Sequence, residues 1–413
     1  LALDPIVIIG ASHAGVQMAA SARDAGWENE IVLLAEDALL PYHRPPLSKG
    51  LLTGKISVAE IPLRGESWYE KNNIVRLTGR RVTAVDRQRH RVILQGGEQI
   101  PYSRLGLATG ARVRRLSLPG GKLDGILYLR DFADVEKLKS QLRHTHSVVV
   151  IGGGFIGLEV ASSLCKMGKK VTVLETFQRL MPRAVSSVIS GWFGRRHTER
   201  GVNLIFNARV EMILNDGRGR AAGVLLSNGQ KIAADLIVAG IGVTPAVELA
   251  KAADLTCSDG IVVDSLTRTS DPFIFAAGDV TNHPSVFSGG QLRLESVQNA
   301  TDQAKVAGQM LAGIASIPYD GVPWFWSDQH DVPLQIVGLA SSADNCVVRG
   351  DYAGGKFSVF SFSGRKLVCI ESVDSSRDHV AGRKLLALTN ARLTPEEAAD
   401  PQFDLLAAAR ERS

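Results

Sequence analysis

The sequence predicts an α/β fold built from two strand–glycine turn–helix–strand units and a separate α+β region. Three observations carry this expectation. The first is an apolar strand pattern, glycine turn and alanine-rich stretch over Ile6–Glu36; the second is the recurrence of that pattern roughly 140 residues later. The third is a change to strand-rich alternation in the last stretch of chain, from residue 321 onward. Apolar strand runs alternating with helical stretches predict parallel sheets covered on both faces.

In chain order, Ile6–Ile9 is a β-branched run, and Gly10-Ala-Ser-His-Ala-Gly15 follows it as a turn. Ala14–Ala25 then reads as a helix stopped by Gly26, and Ile31–Glu36 as a second strand ending in an acid. Glycines after a strand let the backbone close tightly on a pyrophosphate at a helix N-terminus. A carboxylate about 20 residues further on accepts hydrogen bonds from a ribose. Ser12 stands where the middle glycine of that fingerprint belongs. The second unit runs Val148–Ile151, Gly152-Gly-Gly-Phe-Ile-Gly157, a helical stretch to Met167, and Val171–Glu175, with all three glycines kept. One such turn is weak evidence, but two in matching frames point to two dinucleotide sites. Leu105–Gly110 and Ile274–Asp279 are short buried strands ending in Ala-Thr-Gly and Gly-Asp turns. Lys356–Phe360 and Lys366–Ile370 read as strands of the final region.

Composition narrows the function classes. A chain of 413 residues with 45% hydrophobic content is too long for one core. No run approaches the roughly 18 apolar residues of a membrane span, so the expectation is a soluble, cytoplasmic protein. Cys165, Cys257, Cys346 and Cys369 are scattered, which argues against a disulfide framework or a metal site. A formal charge of +5 is too weak for nucleic acid but suits an acidic protein partner.

The doubled fingerprint, the Ala-Thr-Gly turn and the Gly-Asp turn together resemble the two-dinucleotide flavoprotein reductases of glutathione-reductase-like fold. That resemblance implies a nicotinamide domain inserted into an FAD domain. The expected boundaries are 1–112 and 246–320 for FAD, 113–245 for NADH and 321–413 for a C-terminal α+β domain. Disulfide-reducing members carry a Cys pair downstream of the first acid or in the nicotinamide domain, and peroxidase and oxidase members a single cysteine in the first region; here that region reads Pro41–Lys49 without cysteine, and no Cys-x-x-Cys occurs in the sequence. The strings Arg44-Pro-Pro-Leu-Ser-Lys49, Glu295-Ser-Val-Gln-Asn-Ala300 and Pro323-Trp-Phe-Trp-Ser-Asp-Gln329 are similar to the FAD-dependent NADH:ferredoxin reductases. Putidaredoxin reductase and the reductases of aromatic-ring dioxygenases are of this type. The resemblance implies a relay from NADH through FAD to a [2Fe-2S] ferredoxin serving a haem monooxygenase or a Rieske oxygenase. An NADH oxidase or diaphorase, and a binding flavoprotein of the apoptosis-inducing-factor type, remain the alternatives.

Carried over by motif, the resemblance implies that Lys49 and Glu159 pair beside the flavin, where the nicotinamide stacks. Their composition alone leaves a solvated lysine and an ordinary helix residue. The expected FAD contacts are Gly10, Ser12, Ala14, Gly15, Glu36, Arg44, Lys49, Val82, Ala108, Thr109, Gly110, Arg130, Asp279, Val297 and Trp326. For NADH they are Gly152, Gly154, Phe155, Ile156, Gly157, Glu159, Glu175, Arg183 and Gly242. Glu175 would repel a 2′-phosphate, which favours NADH over NADPH. Trp324 and Trp326, two apart in a strand, should point the same way. Trp326, Arg64 and Arg293 are the expected ferredoxin contacts, with Arg349, Lys356, Arg377, Arg383 and Lys384 as further cations. No metal, nucleic acid or membrane is expected, and the chain is expected to be a monomer or weak dimer.

Overall fold

The computed structural model describes residues 4–388 and 393–411. The chain forms two compact units. Residues 1–43, 58–112 and 244–323 make the first; residues 44–57, 113–243 and 324–413 make the second.

In the first unit, strands Ile274–Ala276, Arg104–Leu107, Ile6–Ile9, Ile31–Leu34 and Ile74–Leu77 lie in that order in one sheet. Every neighbouring pair is parallel. Ile6, Val7 and Ile8 are fully buried because both faces of the sheet are covered. Helices His13–Asp24 and Val297–Leu311 pack with Ile6, Ile8, Ile31 and Leu33 into one apolar cluster. The opposite face packs against Val82, Val92 and Leu94 of a small antiparallel sheet. Each buried Ile or Leu contributes about 1.5–3 kcal/mol, so a charge anywhere in Ile6–Ile9 would dismantle this core.

The second unit repeats this plan. Its parallel sheet orders Asn203–Ile205, Lys170–Leu174, Ser147–Ile151, Leu236–Ala239 and Ile126–Leu127. Helix Phe155–Lys166 runs from the end of the central strand. The same unit holds an antiparallel sheet of Trp324–Gln329, Val332–Gly338, Lys366–Val373, Lys356–Ser363 and Asn345–Asp351. Leu334, Phe357 and Val359 of that sheet join Leu158, Val160 and Val173 in one core. The α/β class, the two dinucleotide-type sheets and the α+β C-terminal region therefore follow the expectation from sequence.

Candidate functional site

The two glycine turns are built alike. Gly10 and Gly152 follow the central strands with φ of +107° and +111°, a left-handed conformation that only glycine adopts without strain. A Cβ on Gly10 would sit 2.1 Å from the Ala108 carbonyl oxygen, and one on Gly152 2.4 Å from that of Gly240. Gly15 and Gly157 let the helix close onto the turn, since a Cβ there would lie 1.8 and 2.1 Å from the Gly10 and Gly152 oxygens. The result in each unit is a helix N-terminus aimed past the end of a parallel sheet, where amide donors and the helix dipole favour an anion.

Ser12 and Gly154 cap the two helices and share extended backbone, φ −121° and −83°. A Cβ on Gly154 would meet nothing within 4 Å. The middle position is thus open space for a ligand rather than a conformational need for glycine, and Ser12 occupies it without strain. Ala14, buried, faces Gly278, where a Cβ would come within 3.2 Å of the Ala14 Cβ. Gly278 (φ +88°) turns the chain into Asp279, and its N–H donates to Gln303 Oε1 at 2.8 Å. Gly110 (φ +67°) ends the Ala108–Thr109–Gly110 turn, and the Thr109 hydroxyl donates to the Ala246 carbonyl at 2.8 Å. The first unit therefore gathers Gly10, Ser12, Ala14, Gly15, Ala108 and Gly278 around one turn, a cradle that fits a dinucleotide pyrophosphate. Val82 is buried at the start of an antiparallel strand, and Val297 opens a helix capped by Ser296.

The two acids differ. Glu36 is exposed and faces Arg81 at 3.4 Å. Glu175 is buried: Oε2 accepts the Gly153 N–H at 2.8 Å and Oε1 the Phe177 N–H at 2.9 Å. A Cβ on Gly153 would lie 2.9 Å from Glu175 Oε2, so the carboxylate is seated here because residue 153 is glycine. Arg179, on the loop beyond, donates to the carbonyls of Pro182 and Val185 at 2.6 and 2.8 Å and is engaged by its own loop. Arg183 is exposed on that loop, and Gly242 (φ +96°) lies after strand Leu236–Ala239.

In the second unit, Lys49 and Glu159 form an ion pair at 3.0 Å, with Glu159 4% and Lys49 21% exposed. Segment Pro45–Ser48 is a 3-10 turn that delivers Lys49, and Glu159 sits near the start of helix Phe155–Lys166. Lys49 also lies 3.3 Å from Asp328. Lys49 is thus ion-paired rather than freely solvated, and Glu159 is buried on its helix. Arg44 donates to the Arg130 carbonyl, and the Arg130 N–H donates to Asp134 at 2.8 Å. Phe155 packs on Phe325 at 4.6 Å, whereas Ile156 is exposed.

Trp324 and Trp326 do share a face of strand Trp324–Gln329, with ring centroids 5.7 Å apart. The Arg383 guanidinium lies 4.8 Å from the Trp324 ring. Among the candidate docking cations, Arg64 is exposed beside Trp68. Arg293 is only 12% exposed and is flanked by Asp259 at 3.2 Å and Glu295 at 2.6 Å. Arg349 is 11% exposed, facing Asp378 at 3.5 Å and the Phe403 carbonyl at 2.9 Å, so its charge is engaged within the fold.

Sequence reasoning passed over Ser48, Ser327, Gln329, His197 and His330. Ser48 donates to Glu159 Oε2 at 2.5 Å and Ser327 to Oε1 at 2.7 Å. Period-two alternation puts Ser327 and Gln329 on the face opposite the tryptophans, which was a usable signal. His197 and His330 lie far apart in the chain and gave none. All four cysteines are free thiols, with those of Cys165, Cys257, Cys346 and Cys369 raised by burial, so they form no disulfide that could accept electrons and none is an activated nucleophile.

Residues 4–304 match the model of the pyridine nucleotide-disulphide oxidoreductase family, and residues 324–409 that of the reductase C-terminal domain. Rhodocoxin reductase of Rhodococcus erythropolis is 46% identical over 98% of this chain and 95% of its own length. The crystal structure of the ferredoxin reductase for the CYP199A2 system of Rhodopseudomonas palustris superposes with a TM-score of 0.95. It is 44% identical, over 98% of this chain and 100% of that one. Putidaredoxin reductase, in its covalent complex with putidaredoxin, gives a TM-score of 0.93 at 36% identity, over 100% of this chain and 99% of that one.

Proposed function

We propose, since this chain belongs to the pyridine nucleotide-disulphide oxidoreductase family, that it is an NADH-dependent flavoprotein passing electrons through FAD to a [2Fe-2S] ferredoxin. FAD and NAD(H) are its cofactors. The ferredoxin would serve a haem monooxygenase or a Rieske oxygenase. The observation that carries the reading is the Lys49–Glu159 pair, its carboxylate buried and its lysine half-buried, in a chain whose thiols offer no internal acceptor.

Bound FAD supplies the conversion from a two-electron donor to one-electron transfers. The protein's part is positioning and charge. Gly10, Ser12, Ala14 and Gly15 hold the flavin pyrophosphate, with Ala108, Thr109, Gly110, Val82, Arg44, Arg130, Asp279, Val297 and Trp326 completing its contacts and Glu36 on the ribose. Gly152, Gly154, Phe155, Ile156, Gly157, Arg183 and Gly242 hold NADH. Glu175 takes its ribose, and its fixed carboxylate disfavours a 2′-phosphate, with Arg179 engaged elsewhere. Glu159 orients the carboxamide, and Lys49 places a positive charge where negative charge develops.

Arg64, Arg293 and Trp326 are the residues that would contact an acidic ferredoxin, and steering by such cations sets encounter rate and salt dependence. Arg293 is already flanked by two carboxylates, whereas Arg64 is exposed beside Trp68 and is the more accessible of the two cations. We place the protein in the cytoplasm as a monomer or weak dimer. Among the described residues no helix is long and apolar enough to cross a membrane. Stopped-flow oxidation of the NADH-reduced protein tests the assignment. Faster loss of electrons to a [2Fe-2S] ferredoxin than to oxygen is expected, and equal rates would return the chain to the oxidase reading.

A further inference from the structure

Glu159 is held by more than its lysine. Its Oε1 accepts from Ser327 at 2.7 Å and its Oε2 from Ser48 at 2.5 Å, in a setting almost closed to water. Behind Ser327 the polar atoms continue without a break. Gln329 Nε2 is 3.2 Å from Ser327 Oγ, and Gln329 Oε1 is 2.9 Å from His197 Nε2. His197 Nδ1 is in turn 2.9 Å from His330 Nε2. Gln329, His197 and His330 are at most 2% exposed.

The carboxylate dictates which way this chain runs. An ionised carboxylate only accepts, so Ser327 must donate its hydroxyl hydrogen to Glu159 and accept from its other side. That places the Gln329 amide nitrogen toward Ser327 and its oxygen toward His197. His197 then donates through Nε2, which leaves Nδ1 as an acceptor for the Nε2–H of His330. His197 must be neutral for this pattern, since its Nδ1 accepts, whereas His330 donates in either state; burial lowers His197 to about 4 and His330 to about 3. Lys166, Arg196 and Arg200 around His330 push in the same direction. The charged groups facing Glu159 and its lysine are Lys49 and Asp328.

The backbone gives a second, independent indication. His330 and Asp331 form the two-residue connection between strands Trp324–Gln329 and Val332–Gly338, with φ of +51° and +70°. Turns of that kind favour Asn or Gly. A histidine is nevertheless fixed there, its N–H donating to Ser162 Oγ at 2.7 Å and its ring reaching His197.

We propose that Gln329, His197 and His330 are positioning residues for hydride transfer: with Ser327 they form a one-directional chain in which every donor points toward Glu159, holding it ionised and oriented toward the nicotinamide. Aligned hydrogen bonds polarise one another and favour the charged acceptor. The inference rests on the reading of Glu159 as the carboxylate that meets the nicotinamide. The amide of Gln329 does not pass protons readily, so the chain orients rather than conducts.

The test is the pH profile of flavin reduction by NADH, followed by bleaching of the visible flavin band in the flavin-loaded full-length protein. Gln329→Met and His197→Leu cut the chain; His197→Gln keeps one donor and one acceptor. The expected result is an acidic limb shifted up in the first two, with rates down by up to about tenfold at the acidic end. His197→Gln should restore the original profile. Ser327→Ala cuts the chain beside the carboxylate with the least loss of volume and gives the same readout should a larger substitution fail to fold. An unshifted limb in folded Gln329→Met, or in Ser327→Ala, overturns the proposal. Glu159→Gln separates the two levels: wild-type reduction at every pH in that variant would remove the role of Glu159 itself.

Discussion

The two glycine turns share a backbone and differ in how tightly their surroundings are wired. In the first, Ala11 and Ser12 replace two glycines of the second, and Glu36 is exposed beside Arg81. In the second, Gly153 lets the Glu175 carboxylate reach the turn and accept two backbone amides. The loop beyond is tied down as well, through Arg179 and through the Ser186 N–H, which donates to Glu371 at 2.8 Å. A resident cofactor can order its own acid on binding and keep it ordered. A substrate that arrives and leaves each turnover gains from an acid already in place, because ordering costs are then not met at every encounter.

The strongest way to break this comparison is to add one methyl group to each turn. Gly10→Ala and Gly152→Ala both force a left-handed residue and drive a Cβ into a carbonyl oxygen, a strain of several kcal/mol. Gly10→Ala should yield protein without bound flavin. Gly152→Ala should keep its flavin, seen in the visible spectrum, yet lose reduction by NADH. Equal flavin loss in both would end the division of labour between the turns.

Next in size is the anchor behind the second turn. Burial raises the Glu371 carboxyl to about 7 from an ordinary value near 4.5. The folded state therefore holds this proton more tightly than the unfolded state. The associated stability is fully present below about pH 4.5 and is lost as pH rises to about 7, an effect on the order of 3 kcal/mol. Glu371→Gln should flatten that part of the stability–pH curve and stabilise the protein at pH 8 in urea melts. A slope identical to wild type would show that Glu371 is not the group titrating.

A smaller effect is expected at the acid itself. Gly153→Ala should displace the Glu175 carboxylate and remove one of its two amide bonds, about 1–2 kcal/mol. The Michaelis constant for NADH should rise roughly tenfold, and the preference over NADPH should narrow. Glu175→Ala should reproduce both changes. Ala11→Gly in the first turn should change neither, since Glu36 takes no part in that arrangement.

What could be read before any coordinates follows the same divide. Strand, turn and helix signals are local, so Ile6–Ile9, His13–Asp24, Ser147–Ile151 and Phe155–Lys166 fall within a residue or two of their expected positions. The Lys49–Glu159 pair came from family strings rather than spacing, because 110 residues separate the partners. The support for Glu159 was only half legible. Ser327 and Gln329 alternate along one strand, but nothing local links them to His197, which reaches them only through tertiary packing. Charge was the poorest guide: Arg293 and Arg349 look like free surface cations in sequence, yet the fold surrounds both with acceptors.

The smallest effect bears on the oddest residue of the first turn. Ser12 caps its helix with φ −121°, an extended conformation open to any residue, so glycine there relieves no strain. Glycine would instead add unfolded-chain entropy, about 0.5–1 kcal/mol against stability. The corresponding Gly154 has open space where a Cβ would stand, so the opening and not the glycine is what a pyrophosphate needs. Ser12→Gly should therefore leave FAD affinity within a factor of a few, measured by flavin titration of the apoprotein. A tenfold tightening would mean that the serine Cβ crowds the phosphates, and a tenfold loss that its hydroxyl supplies a donor the second turn does without.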